Sequence, residues 1–148
     1  MPNVAELYQS LILDHNRSPR NFRVMVDPDR SVEGNNPLCG DELTVWLRMD
    51  GDTIADVSWM GKGCAISKAS ASMMTAAVKG ARREAAETLY EDFHDLVTGK
   101  LADEKVQSLG RLAAFAGVAR FPIRVKCASL AWHALHAALR VTGPSSAG

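Results

Sequence analysis

Residues 42–60, ELTVWLRMDGDTIADVSWM, set the architecture of this chain. In the first half an apolar side chain recurs at every second position, which is the period of a β-strand with one buried face. These alternating residues are Leu43, Val45, Leu47 and Met49. Asp50-Gly51-Asp52 has the composition of a tight turn, and Thr53–Met60 follows as the returning strand. The sequence therefore predicts a β-hairpin.

Upstream of the hairpin, apolar residues recur at helical spacing and then stop. Positions 4, 7, 8, 11 and 12 are apolar, which predicts an amphipathic helix that ends near Asn16. His15 continues the apolar stripe, and we favour a structural or capping role for it over a ligand role. Residues 17–38 contain three prolines and are predicted to be irregular.

A helix is predicted directly after the hairpin. Gly61-Lys62-Gly63 breaks the second strand, and the helix begins within 64–68. Ser67 is the predicted N-cap, since a hydroxyl can accept from the free N–H groups of the first turn. Gly80 is the predicted terminator.

Three further helices are predicted towards the end of the chain. Arg83–Val97 and Asp103–Ala116 both show the helical period of apolar residues. The last helix follows Pro122, and its apolar positions place Cys127 at the N-terminal edge of the face turned towards the core.

Length, charge and the distribution of apolar residues limit the expected cellular location of the protein and the classes of partner that it can bind. A chain of 148 residues is the length of one domain, so residues 1–142 are interpreted as a single domain and 143–148 as a flexible tail. Seventeen basic residues balance seventeen acidic ones, which argues against nucleic-acid binding through a general basic field. No apolar run reaches the ~18 residues that span a membrane, and the N-terminus lacks a signal-peptide pattern. We expect a cytoplasmic protein with neither a nucleic-acid nor a membrane partner.

Three cysteines and one aspartate form the candidate site. The odd number of cysteines and the reducing cytoplasm favour metal binding or thiol chemistry over disulfides. Cys39 and Asp41 are two residues apart, so in an extended segment both side chains project to the same face. Cys64 precedes a predicted helix, and Cys127 is predicted to lie at the start of another. A helix N-terminus favours a thiolate.

Three thiolates and a carboxylate are a complete tetrahedral ligand set for Zn²⁺. The carboxylate is a harder ligand than the thiolates, so one corner of the site would be weaker, which suits ligand exchange in a working site. The alternative is that the cysteines are small buried apolar residues. Separations of 25 and 63 residues match no zinc-finger pattern, so the spacing alone leaves both interpretations open.

Longer sequence blocks around these residues help to choose between a metal site and buried structural cysteines. They are LY, ILDH and PRNF between Leu7 and Phe22, NPLCGD at 36–41, GKGCAISKASASMM at 61–74 and RVKCASLAW at 124–132. From Leu7 to about Leu139 the chain resembles the IscU/SufU family of iron–sulfur assembly proteins. The three cysteines and the aspartate of that family fall on Cys39, Asp41, Cys64 and Cys127.

Two features resemble the SufU branch of the family. IscU-type proteins have a histidine immediately before the last cysteine, and this chain has Lys126 there. The span from Cys64 to Cys127 is also longer than in the IscU branch, with additional helical sequence within about 85–119.

The resemblance implies an α+β fold in which a small antiparallel β-sheet packs with several α-helices. It also implies zinc held by Cys39, Asp41, Cys64 and Cys127, and persulfide sulfur accepted from a SufS-type cysteine desulfurase. Pyridoxal phosphate would belong to that partner.

The first hypothesis is therefore a zinc-dependent sulfurtransferase in which Cys39 accepts the sulfur and Arg124 stabilises a thiolate. The alternative is a scaffold on which an iron–sulfur cluster is assembled and passed to apo-targets, with other iron–sulfur assembly proteins as partners. A third interpretation is a structural zinc module that binds a partner without chemistry of its own.

Overall fold

The computed structural model describes residues 4–37 and 40–140, with side chains from Gln9 onward. The predicted tail, 143–148, lies outside these ranges. No helix within them is long and apolar enough to cross a bilayer. The elements in chain order are α1 (Val4–Arg17), β1 (Arg30–Asn36), β2 (Asp41–Asp50), β3 (Thr53–Lys62), α2 (Ala65–Val78), α3 (Arg83–Val97), α4 (Asp103–Ser108), a 3₁₀ helix (Gly110–Arg120) and α5 (Pro122–Arg140).

The predicted hairpin is confirmed. β2 and β3 pair antiparallel from Glu42 opposite Lys62 to Asp50 opposite Thr53, with one register shift after Arg48. The side chains that alternate into the core are buried, as the period of two requires. They are Leu43, Val45 and Leu47.

The prediction of irregular chain over 17–38 is wrong for Arg30–Asn36, which forms β1. This strand pairs antiparallel with β2, so the described strands lie in the order β1-β2-β3. Val32 is the one β-branched residue of β1, so its local preference for a strand is weak. Pairing with β2 and packing under α5 stabilise β1 despite its weak strand preference. The packing is close, because a Cβ at Gly34 would lie only 3.2 Å from Leu130 of α5.

The α+β prediction is also confirmed. α5 packs against β1 and β2, and α2 packs against β3 and α5. Sheet residues such as Leu47 and Trp59 belong to one buried cluster with Trp132 and Leu135 of α5. Burial of this apolar surface is the main contribution to the stability of the fold.

A short set of hydrogen bonds joins α2 to α5. Ser70 Oγ donates to the carbonyl of Ala128 at 2.5 Å, and Trp132 Nε1 donates to Ser70 Oγ at 3.2 Å. All three residues are buried. We call Ser70, Ala128 and Trp132 the α2–α5 lock, because they fix the two helices that carry Cys64 and Cys127.

The predicted first helix is confirmed and ends one residue later than expected, at Arg17. His15 is 4% exposed, and its Nδ1 lies 2.6 Å from Ser72 Oγ on α2. His15 therefore has a structural contact that joins α1 to α2 through one of its two ring nitrogens.

The predicted helix at Arg83–Val97 is confirmed, but a single helix over Asp103–Ala116 is wrong. α4 ends at Ser108, and the chain continues as the 3₁₀ helix Gly110–Arg120. Gly110 has a φ of +59°, which an α-helix does not allow but glycine adopts readily.

Candidate metal centre

Asp41 is the first residue of β2 and is fully buried. Its Oδ1 accepts a hydrogen bond from the backbone N–H of Cys64 at 2.8 Å. Gly63 makes this approach possible, because a Cβ there would lie 2.9 Å from Asp41 Cγ. The carboxylate is thus held at the point where β3 passes into α2.

Cys64 is the N-cap of α2, and its Sγ accepts from the backbone N–H of Ser67 at 3.4 Å. The prediction of Ser67 as the N-cap is wrong, because the helix already begins at Ala65 and Ser67 is buried within its first turn. The thiol is partly exposed. It therefore combines the polarity of a helix N-terminus with access to a partner.

Cys127 lies on the buried face of α5 and is 3% exposed, so the prediction of its face is confirmed. The prediction that it lies at the helix start is wrong. Since α5 begins at Pro122, Cys127 is in the second turn, where the effect of the helix dipole has largely fallen off. Its position instead depends on the packing of α5 against the rest of the core.

The three side chains converge. One ligand atom from each of Asp41, Cys64 and Cys127 lies within 4.8 Å of the other two. Asp41 Oδ2 is 3.9 Å from Cys64 Sγ. A tetrahedral zinc site, with Zn–S bonds of ~2.3 Å, places its ligand atoms ~3.6–3.8 Å apart. The donor set and the spacing therefore fit a zinc ion after small side-chain movements.

Residues 7–128 match the family of NifU-like N-terminal domains. This chain belongs to that family. The family of iron–sulfur cluster assembly proteins predicted from the sequence blocks, IscU/SufU, is thereby confirmed.

Two individual relatives align with most of this chain. It is 44% identical to the "Zinc-dependent sulfurtransferase SufU" of Bacillus subtilis (strain 168) over 133 residues, 90% of this chain and 89% of that protein. It is 40% identical to the "Iron-sulfur cluster assembly scaffold protein IscU" of Streptococcus pyogenes serotype M1 over 140 residues, 95% and 87% of the two chains.

A solved structure shares the fold. The crystal structure of FiSufU from Fervidobacterium islandicum AW-1, described as a scaffold protein for the SUF system, superimposes with a TM-score of 0.84. The sequences are 34% identical, and the match covers 90% of this chain and 97% of that one. The α+β architecture is therefore shared with this solved structure.

Cys39 lies outside the described residues, so its predicted roles as ligand and sulfur acceptor remain predictions. The described residues on either side belong to the connection between β1 and β2. Gly40 has a φ of +72°, and its N–H donates to the carbonyl of Asn36 at 2.9 Å. Asn36 pairs with Asp41, so the connection that carries Cys39 starts and ends beside the metal centre.

Arg124 lies one helical turn before Cys127 and is exposed. Its guanidinium is 5.3 Å from the centroid of the Phe121 ring, a cation–π arrangement. With Cys64, Cys127 and several apolar side chains, it lines an open cavity of about 570 Å³. The apolar members are Ile12, Leu13, Ala65, Ile66 and Ile123.

Sequence reasoning missed two contributors to this site. Gly63 gives the carboxylate of Asp41 room to approach the N-terminus of α2. Leu13 and Ile123 are 57% and 63% exposed beside the thiols, although both are apolar. The GKG tripeptide before Cys64 was a sequence signal for the role of Gly63. The contact with Asp41 could not be predicted from it, because Asp41 is distant in sequence.

Proposed function

We propose that this protein is a zinc-dependent sulfurtransferase of the cytoplasm. It accepts persulfide sulfur from a SufS-type cysteine desulfurase for iron–sulfur cluster assembly. The observation that supports this most is the convergence of Asp41, Cys64 and Cys127 within 4.8 Å. The name of the B. subtilis relative, which shares 44% of its residues, agrees with the proposal.

Cys39, Asp41, Cys64 and Cys127 are the proposed zinc ligands. When bound, zinc keeps the thiols deprotonated and protects them from oxidation. The chain's own contribution is to orient the ligands. Asp41 is fixed by the N–H of Cys64, and Cys64 by the N–H of Ser67.

Cys39 is the proposed sulfur acceptor. Its thiolate attacks the terminal sulfur of the desulfurase persulfide, the sulfur–sulfur bond of that persulfide breaks, and the cysteine thiolate of the desulfurase leaves. A new persulfide on Cys39 holds the transferred sulfur, so no external oxidant or reductant is needed. Cys39 suits this role better than Cys127, because Cys127 is buried in a helix.

Arg124 is proposed to stabilise the thiolate that forms or leaves. It lines the same cavity as Cys64 and Cys127, and its charge is held over Phe121 rather than by an ion pair among the described residues. Arg124→Gln is expected to slow sulfur transfer, whereas Lys126→Gln, the exposed neighbour of Cys127, serves as the matched control. Equal rates for both variants would remove Arg124 from the mechanism.

Desulfurase turnover tests the main proposal. The release of alanine from cysteine is measured with the desulfurase alone, with the zinc-loaded protein, and with its Cys39→Ala variant. Leu38→Ala is the control for a change in the same connection. Strong stimulation that Cys39→Ala loses and Leu38→Ala keeps is the expected result. Absence of stimulation by the intact zinc protein would overturn the proposal.

A second candidate is a scaffold that assembles an iron–sulfur cluster and passes it to apo-targets. The S. pyogenes relative and the F. islandicum structure both carry the word scaffold in their names. Thiolates are also the usual ligands of such clusters. Iron with matching acid-labile sulfide after anaerobic reconstitution favours the scaffold, whereas zinc without sulfide, together with stimulation of the desulfurase, favours the sulfurtransferase. If the protein is a scaffold, other iron–sulfur assembly proteins would be its partners.

A further inference from the structure

A second cavity, of about 310 Å³, lies away from the thiols, between α1–α2 and the segment 85–119. This volume is at the lower end of the range for small-molecule sites. Its walls are mostly apolar, with a few polar groups from both sides. It is lined by His15, Arg20, Met73, Ala76, Ala77, Leu89, Ser108, Leu109, Arg111 and Leu112.

His15 contributes a donor to this cavity. The side chain is 4% exposed, and its Nδ1 lies 2.6 Å from Ser72 Oγ. Ser72 Oγ also accepts the backbone N–H of Arg20 at 2.8 Å, and the described residues offer its hydrogen no acceptor other than His15. The hydroxyl therefore donates to Nδ1, and the proton of the neutral ring is on Nε2. Nε2–H has no acceptor among the described residues, and His15 lines the cavity.

Two guanidinium groups accompany this donor. Arg20 binds Asp14 Oδ2 at 2.7 Å and the carbonyl of Ser18 at 2.9 Å. Arg111, which is exposed, forms no ion pair within the described ranges. Two arginines and one aspartate leave a net charge of +1 beside the cavity. Apart from Ser108, the other lining residues are apolar side chains from α2, α3 and the chain at 109–112.

We propose that this cavity binds a small carboxylate with an aliphatic body. The carboxylate would accept from His15 Nε2–H and from Arg111, while its body would lie against Met73, Leu89 and Leu112. A charged acceptor matches guanidinium and imidazole donors, and burial of the aliphatic body supplies the remaining affinity. Neither the thiols nor the proposed sulfur transfer enter this argument.

The surroundings of His15 agree with an anionic ligand. Burial lowers the pKa of His15, the positive charges of Arg20 and Arg111 lower it further, and Asp14 acts in the opposite direction. The ring is therefore a neutral donor at pH 7. A bound carboxylate would stabilise the imidazolium and raise this pKa, which NMR of the imidazole signals can follow.

Binding to the full-length protein is tested by calorimetry with three probes: octanoate, its uncharged analogue octanamide, and inorganic phosphate. Octanoate is expected to bind at least about tenfold more tightly than octanamide, because its hydrogen bonds are charge-assisted. Phosphate should not bind detectably. Equal binding of octanoate and octanamide would overturn the carboxylate assignment, and phosphate binding as tight as octanoate would overturn the need for an aliphatic body.

Two variants locate the site. Arg111→Gln is expected to bring octanoate affinity close to that of octanamide, while Arg120→Gln, on the same 3₁₀ helix, should leave it unchanged. Ala77→Phe replaces an exposed residue of the cavity wall and should block both ligands. Octanoate binding that survives both Arg111→Gln and Ala77→Phe, or that is absent from the unmodified protein, would overturn the proposal.

Discussion

The metal centre and the α2–α5 lock connect the same two helices, but they do so in different ways. In the lock, Ser70 receives the indole N–H of Trp132 and donates to the carbonyl of Ala128, so the protein alone satisfies these polar groups. In the centre, two thiols and a carboxylate crowd within 4.8 Å. There, the backbone N–H of Cys64 donates to Asp41, and the backbone N–H of Ser67 donates to Cys64 Sγ.

The residues of the lock, which stabilise the fold, are therefore distinct from those of the metal centre, although both groups lie close together on α2 and α5. Ser70 is six positions after Cys64, and Cys127 is next to Ala128. The lock lies in the apolar core, where Trp132 also stacks on Phe93 with ring centroids 4.5 Å apart. We therefore expect the fold to survive loss of the metal, and the metal centre to survive partial loss of the lock.

The sharpest test of this separation is Cys64→Ser. Zinc affinity is expected to fall at least about 100-fold, since loss of a ligand should exceed the roughly 10–100-fold cost of losing a residue that only orients a ligand. Serine still caps α2, so the free energy of unfolding without metal should change little. Competition with a chromogenic chelator and urea unfolding in EDTA measure the two quantities. A wild-type protein that unfolds in EDTA would contradict the comparison and support a structural zinc module.

The opposite result is expected for Ser70→Ala. This change leaves the indole N–H of Trp132 unpaired in the core and removes the side-chain hydrogen bond to the carbonyl of Ala128, which should cost about 1–3 kcal/mol of stability. Zinc content per chain should not change. The control is Ser129→Ala, because the Ser129 hydroxyl is buried without a hydrogen-bond partner among the described residues. If Ser70→Ala lowers zinc content as Cys64→Ser does, the two regions are not separable.

Gly63→Ala tests how the centre is oriented without removing a ligand. The new Cβ would press on the carboxylate of Asp41 and weaken its bond from the Cys64 N–H. Zinc affinity is expected to fall about tenfold, as for other groups that orient ligands. Gly117→Ala is the matched control, because a Cβ there meets nothing within 4 Å. Equal zinc affinities for the two variants would show that the position of the Asp41 carboxylate does not depend on the absence of a Cβ at Gly63.

The smallest expected effect concerns pH and lies outside both regions. Burial lowers the pKa of His133, and the positive charges of His94 and His136 lower it further. The unfolded chain therefore takes up this proton first, and the free energy of unfolding should fall as the pH drops below about 6.5. His133→Gln should make stability in EDTA less dependent on pH between 7.5 and 5.5. An unchanged pH dependence would assign the effect to other groups, such as His15.

Part of this molecule follows from local sequence. The period of two over 42–60 defines the hairpin, because a strand with one buried face needs an apolar residue at every second position. The apolar stripe of α5 places Cys127 towards the core for the analogous reason at helical spacing. The blocks around Cys39, Cys64 and Cys127 identify the family, since each combines several residues in a fixed order.

The tertiary structure decided the rest. β1 forms because β2 supplies its hydrogen-bonding partner and α5 covers it, although Arg30–Asn36 has little strand preference. Cys64, rather than Ser67, caps α2 because the helix starts where Asp41 holds the backbone of Cys64. The cavity beside His15 arises where α1 and α2 meet a segment many residues later. Each of these features depends on contacts between residues far apart in sequence, which local periodicity cannot contain.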